Sequence, residues 1–280
     1  MSFARTASLT AMAMLAFAAN SLLCRAALKH TAMDAASFTT LRLVSGALML
    51  WLLVKLKSGG TGRGSWLSGL ALFVYAAGFS FAYSSLPAAS GALLLFGAVQ
   101  ATMVAHGVWA GERFRGWQLA GLLLAFGGLV GLLLPGLSAP PLFGAALMLA
   151  AGVAWGVYSL RGRGQGDPAR VTAGNFLRAA PMAVVLSLLT ISHVSLDGAG
   201  VALALASGVL TSAVGYVIWY AALPALKASS AATVQLSVPV IAALGGVLLL
   251  GEAITLRLVL ASVAILGGIA LVIVQKHRPQ

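Results

Sequence analysis

The chain has 280 residues, 60% of them hydrophobic and only 8% charged, with a mean hydropathy of +1.01 and a net charge of +12. A soluble domain carries about 25% charged residues, so these values exclude one and describe a chain that crosses a membrane repeatedly. The positive charge does not point to nucleic acid, because the Lys and Arg residues lie in short loops between apolar runs and form no basic face.

A membrane-crossing helix needs about 20 mostly apolar residues. Ten segments meet this, near 7–27, 35–55, 66–85, 88–110, 117–134, 142–160, 171–191, 199–221, 229–250 and 256–274. The first follows Arg5 and contains Ala16-Phe17-Ala18, which imitates a secretion signal. We expect a retained helix, because Met14-Leu15-Ala16 has a counterpart in Met148-Leu149-Ala150. This span also holds Cys24, whose solitude forbids an intrachain disulfide. The run 58–62 ends the second span, and Pro87, Pro224 and the stretch from Pro135 to Pro141 mark turns. Twelve of the 17 Lys and Arg residues fall in loops on the side of the N-terminus. Arg25, Lys29 and Arg257 fall on the other side, and Arg42 and Arg178 lie within spans. The positive-inside rule then places both termini in the cytoplasm.

The chain repeats itself. Gly111-Glu112 and Gly127-Gly128 recur 140 residues later as Gly251-Glu252 and Gly267-Gly268. Arg25 pairs with Arg161 and Arg42 with Arg178, 136 residues apart, and Leu86-Pro87 pairs with Leu223-Pro224 at 137. Five spans per copy is an odd number, so the second copy inserts upside down. The expected fold is an all-α polytopic membrane protein of ten transmembrane helices, built as two inverted-topology repeats, residues 1–136 and 137–280.

The segments Gly111-Glu112-Arg113-Phe114 … Gly121 … Gly127-Gly128 and Gly251-Glu252-Ala253-Ile254 … Gly267-Gly268, with Val238-Pro239-Val240, resemble the drug/metabolite transporter superfamily, specifically chains with two EamA domains. The resemblance covers nearly the whole chain. One departure is Val99, which stands where Pro239 stands in the second copy. The aromatic residues of the third, sixth and eighth spans are similar to those of YddG-type exporters of aromatic and neutral amino acids. The resemblance implies a cavity between the halves, lined by spans 1, 3, 4, 6, 8 and 9, and transport by alternating access. It implies a bacterial inner-membrane exporter of small neutral or aromatic amino acids or related metabolites, functional as a monomer, and the lack of a mid-span acid argues for facilitative movement. Its partners would be a small amino-acid-like substrate and the lipid bilayer. A drug or a nucleotide-like, anionic metabolite is the alternative cargo on the same fold. No Ser/His/Asp set, metal-ligand cluster or phosphate-binding glycine loop is present, so no enzyme activity, metal or cofactor is expected.

Helical spacing sets Tyr75, Phe79 and Tyr83 on one stripe, and Tyr216, Trp219 and Tyr220 on another. With Phe96, Trp155 and Tyr158 they can wall a cavity, or form an interfacial belt. The amides Asn20, Gln100 and Gln235 fall inside spans, where hydrocarbon offers no partner. Each gives both donor and acceptor, which suits a zwitterion or a helix-to-helix bond. The candidate substrate-binding set is Asn20, Phe79, Tyr83, Phe96, Gln100, Trp155, Tyr158, Tyr216, Trp219 and Gln235. His106 belongs near the end of its span, in packing or at the interface. Arg42, Arg178, Glu112, Glu252 and the glycine pairs read as framework: snorkelling or carbonyl-bonded arginines, carboxylates at helix starts, and close helix contacts. None of the five acids lies mid-span, which favours a neutral or zwitterionic cargo. Specificity is expected where the copies differ: Asn20 against Gly156, Trp155 against Ala19, Phe79 against Tyr216, and Val99 against Pro239.

Overall fold

A computed structural model describes residues 3–56, 59–60, 62–111, 116–136, 139–162, 166–226 and 234–275, with side chains to residue 272. Glu112 and its neighbours to residue 115 lie outside the described residues. Every long element is a helix, because a backbone in hydrocarbon must satisfy its own N–H and C=O groups. The first half supplies α1 (Phe3–His30), α2 (Ala35–Leu56), α3 (Trp66–Tyr83), α4 (Ala88–Trp109) and α5 (Gly116–Leu133). The second supplies α6 (Leu142–Arg161), α7 (Pro168–Leu189), α8 (Gly198–Ala225), α9 (Ser237–Leu250) and α10 (Leu256–Gln275). The first eight are long and apolar enough to cross a membrane, and α9 and α10 are shorter apolar helices.

The packing has the symmetry that the repeat requires. Helices α2 and α7 pair across the halves, as do α5 and α10. Contacts of α6 with α3 and α4 are mirrored by contacts of α1 with α8 and α9. Exchanging the halves therefore leaves the pairing unchanged, as in an inverted repeat. Helix α1 packs against α8 and α9 in the core.

Two departures from symmetry bear on the site. Residues Ser207–Val214 of α8 adopt the wider π-helical winding, whereas α3 is a plain α-helix. Such bulges re-aim side chains and concentrate at functional sites. Gly208 at this bulge lets α8 touch the α2 backbone, since a Cβ there would strike Ser45 and the Arg42 carbonyl. The second departure is the turn at Leu236 that separates helical Val234-Gln235 from α9, which opens at Ser237 and takes Pro239 in its first turn, where a missing N–H costs nothing. Val99 instead lies inside the unbroken α4.

The glycine pairs do as expected, one member each. A Cβ on Gly121 would lie 2.6 Å from the Gly268 carbonyl oxygen, and one on Gly128 would lie 2.7 Å from Ala264 Cβ. Gly127 and Gly267 face open space. Bare backbone thus joins α5 to α10, the usual device where lipid removes the hydrophobic drive for helix association.

At the side opposite the N-terminus, Arg25 corrects the loop assignment. Helix α1 continues to His30, so Arg25 lies inside it, buried, with Nε donating to Glu252 Oε1 at 2.8 Å. Its Nη1 donates to the Tyr83 carbonyl at 2.8 Å. Glu252 is structural, but it does not cap the start of its own helix. It follows Gly251, the left-handed residue ending α9 (φ 62°), and its Oε2 accepts the Ala88 N–H at 2.7 Å. Pro87 cannot donate, so Ala88 carries the first orphan N–H of α4. Glu252 therefore ties α1, α3, α4 and α9 together at one end of the molecule.

The glycine contact is testable with an internal control. Gly268→Ala places a Cβ 2.7 Å from the Ala125 nitrogen and should cost about 1–3 kcal/mol, seen as a lower melting temperature in detergent. Gly267→Ala meets nothing and should melt at or above the wild-type temperature.

Candidate functional site

The aromatic residues resolve into two groups. Trp51, Trp66, Trp109 and Trp117 are exposed, all at helix ends on the N-terminal side. They form the interfacial belt that such rings favour. Trp155 and Trp219 are buried at the centre instead. Trp155 is the hub: its ring centroid lies 4.8 Å from Tyr75, 4.9 Å from Tyr216 and 5.4 Å from Tyr158. Phe17 of α1 meets Trp155, Tyr216 and Trp219 edge-on at 6.2, 6.0 and 5.9 Å. Tyr83 meets Phe79 edge-on at 4.7 Å.

A central cavity lies between these rings, lined by Phe17, Asn20, Tyr75, Phe79, Leu95, Phe96, Trp155 and Tyr216. Its lining comes from α1, α3, α4, α6 and α8, hence from both halves. Asn20, Trp155, Phe79 and Tyr216, positions at which the copies differ, all lie on it. Its volume is about 10 Å³, room for one water and no more. The rings have closed on one another, and any larger cargo requires the halves to part. A roomier cleft, about 830 Å³, opens nearer the N-terminal side between α1, the end of α8 and the start of α9. Thr6, Thr10 and Met14 line it along α1, and Met14 is one turn from Phe17.

Behind the rings lies a polar network. Asn20 Nδ2 donates to the Tyr75 hydroxyl at 3.3 Å, and Asn20 Oδ1 accepts from Ser207 at 2.7 Å. Thr211 Oγ1 lies 3.0 Å from the same oxygen and 2.8 Å from the Ser207 carbonyl, sharing one proton between them. The Tyr75 hydroxyl also accepts from Arg42 Nη2 at 3.1 Å, while Arg42 Nε donates to Ser212 at 3.0 Å. The guanidinium carbon stands 5.1 Å from the Tyr75 ring centroid and 5.0 Å from that of Phe79. Those faces attract a cation. Arg42 is 1% exposed.

Repeat symmetry therefore misleads for the two arginines. Arg178 is framework, as expected: half-buried, it donates to the Arg63 carbonyl at 2.7 Å and the Gly174 carbonyl at 2.8 Å. Arg42 instead enters the centre of the protein, seven residues into α2, about 10 Å down at 1.5 Å per residue. Gln235 is buried in a helical segment that a turn at Leu236 separates from α9, and residues 227–233 before it lie outside the described residues. Gln100 is buried in the middle of α4 but does not line the cavity. Tyr158 and Trp219 touch the lining rings from outside it, and Tyr158 takes a 3.5 Å bond from Asn175 Nδ2. Phe17, Tyr75 and the hydroxyls of Ser207, Thr211 and Ser212 join the site unforeseen. Helical spacing could have found them: Phe17 is three residues from Asn20, and Ser207 four from Thr211.

A family model described as the EamA-like transporter family matches residues 142–274, spanning α6 to α10. The chain belongs to the drug/metabolite transporter superfamily. It is a multi-pass membrane transporter of the EamA type. Uncharacterized protein PA1977 of Pseudomonas aeruginosa is 60% identical over 274 residues, 97% of this chain and 96% of that one. Threonine/homoserine exporter RhtA of Salmonella typhimurium is 35% identical over 120 residues, 41% of this chain and 39% of RhtA. A solved crystal structure matches with a TM-score of 0.70 at 22% identity, covering 99% of this chain and 100% of that chain, and it shares the fold.

The Tyr75 hydroxyl is the joint of the network in this EamA transporter. Tyr75→Phe keeps the ring but leaves Asn20 Nδ2 and Arg42 Nη2 buried without their acceptor. The expected cost is about 1–3 kcal/mol, read as a lower melting temperature with unchanged helical circular dichroism.

Proposed function

We propose that the chain exports small neutral or aromatic amino acids across a bacterial inner membrane, with both termini in the cytoplasm. The observation that carries this reading is the central cavity. It is walled by aromatic faces and amide and hydroxyl groups from both halves, and the described acids all lie outside it. Ring faces supply apolar area for a side chain, and the polar edge supplies donors and acceptors for a zwitterion's ends. The partial match to a protein named as a threonine/homoserine exporter supports the same cargo class. Residues 1–136 and 137–280 act as the two rocking units, a monomer sufficing, and the substrate gradient drives the movement. The cleft lined by Thr10 and Met14 serves as the cytoplasmic approach, while the Arg25–Glu252 tie holds the outer end shut. A drug or anionic metabolite is the second reading, and one observation favours an anion: Arg42 stands beside the cavity wall.

Purified protein in liposomes should exchange labelled threonine and aromatic amino acids for unlabelled ones without a pH gradient. No exchange for any member of a broad amino-acid panel removes the proposal. Trp155→Ala should lower exchange about tenfold, the loss of roughly one 1.4 kcal/mol interaction, at unchanged yield of folded protein, whereas Gln100→Ala, away from the cavity lining, should exchange as wild type. Wild-type exchange in Trp155→Ala would identify it as a packing residue.

A further inference from the structure

Arg42 is a buried cation with no carboxylate against it. The described ion pairs involve only Glu252, with Arg25 and Lys29 at the outer end. The other described acids are Asp34, Asp167 and Asp197, and all three lie in loops at helix ends. Of the three guanidinium nitrogens, Nε is bonded to Ser212 and Nη2 to Tyr75. Nη1 is buried and has no hydrogen-bond partner. The Tyr216 hydroxyl, on a ring lining the cavity, is also buried without one. A charge held away from water, with a donor left over, is costly unless an anion completes it. The rest of the group is fixed in place by Ser212, Tyr75 and two ring faces, so the open donor is preorganised.

The amide at the site is different. Asn20 already makes its bonds to Tyr75, Ser207 and Thr211 within the protein. An ammonium would find no described carboxylate there, and the Tyr75 and Phe79 faces that attract a cation already hold Arg42. We infer that Arg42 Nη1, with the Tyr216 hydroxyl, forms the subsite for the substrate's carboxylate, making the carboxylate obligatory and the ammonium dispensable. This rests on the exporter reading and narrows it to small carboxylates, whether or not they are amino acids. When the rings part, the carboxylate bonds Nη1 and neutralises the guanidinium, and the side chain fills the space between Phe17, Trp155 and Phe79.

The test is a competition panel in the threonine exchange assay on wild-type protein, repeated with Arg42→Lys and Arg42→Gln. The des-amino analogue, a 2-hydroxy or alkyl carboxylate of the same side chain, should compete within about tenfold of the amino acid. The primary amide should be weaker by about tenfold or more, as expected for loss of a charge-assisted bond. Arg42→Gln should lose exchange of every carboxylate, and Arg42→Lys should retain part of it. Carboxylates should also raise the melting temperature of wild type and leave that of Arg42→Gln unmoved. Equal competition by acid and amide overturns the inference even if neither variant folds, as does undiminished exchange in Arg42→Gln. Absence of amino-acid exchange in wild type removes the exporter reading instead. The thermal shift with alkyl carboxylates alone then decides the Arg42 subsite separately: a shift in wild type lost in Arg42→Gln supports it, and no shift overturns it.

Discussion

One hydroxyl organises the interior of this protein. Tyr75 accepts from Asn20 and from Arg42, so α1, α2 and α3 meet at a single oxygen. The π-wound segment of α8 closes the arrangement from the second half through Ser207, Thr211 and Ser212. In water such bonds are readily exchanged for solvent. Inside a bilayer an unpaired donor finds no substitute. The network therefore constrains which faces four helices turn inward, and the rings of Phe17, Phe79, Trp155 and Tyr216 follow from that choice.

Symmetry and its breakage divide the labour. The close backbone contact of α5 with α10 and the paired α2 and α7 obey the two-fold relation, and they lie away from the central cavity. The elements that break it are concentrated at or near the cavity: the bulge of α8, the turn at Leu236 ahead of α9, and Asn20 and Trp155 without equivalents in the other copy. A symmetric scaffold of this kind suits the alternating access proposed for this chain. Asymmetric side chains let one site between them recognise an asymmetric molecule.

The two ends are closed by different means. The end opposite the N-terminus carries an ion pair that also caps α4, with side chains 10% and 7% exposed. The centre is closed by ring against ring, with no ion pair across the cavity among the described residues. Parting the rings costs dispersion contacts and, at Tyr75 and Phe79, their hold on Arg42, whereas parting Arg25 from Glu252 exposes charge and an orphan N–H together.

Much of the fold was legible in one dimension. Apolar runs gave the helices to within a few residues wherever they are described, because hydrocarbon thickness fixes helix length; the first residues of the ninth span lie outside the described residues. The 136- to 140-residue offsets and the odd span count gave the inverted repeat. Aromatic stripes and the mid-span Asn20 gave much of the cavity wall, since helical periodicity puts such residues on one face. Three things were decided only in three dimensions. Sequence could not separate Arg42 from Arg178, which occupy equivalent repeat positions; one reaches loop carbonyls and the other a buried ring pair. Nor could it show that Glu252 caps α4 rather than its own helix, because its partners Arg25 and Ala88 are 227 and 164 residues away. It also could not show that Nη1 of Arg42 is left open. Composition and periodicity fix which residues face inward; which atoms then meet depends on the helix bulge and the crossing of four chain segments, and these exist only in the packed structure.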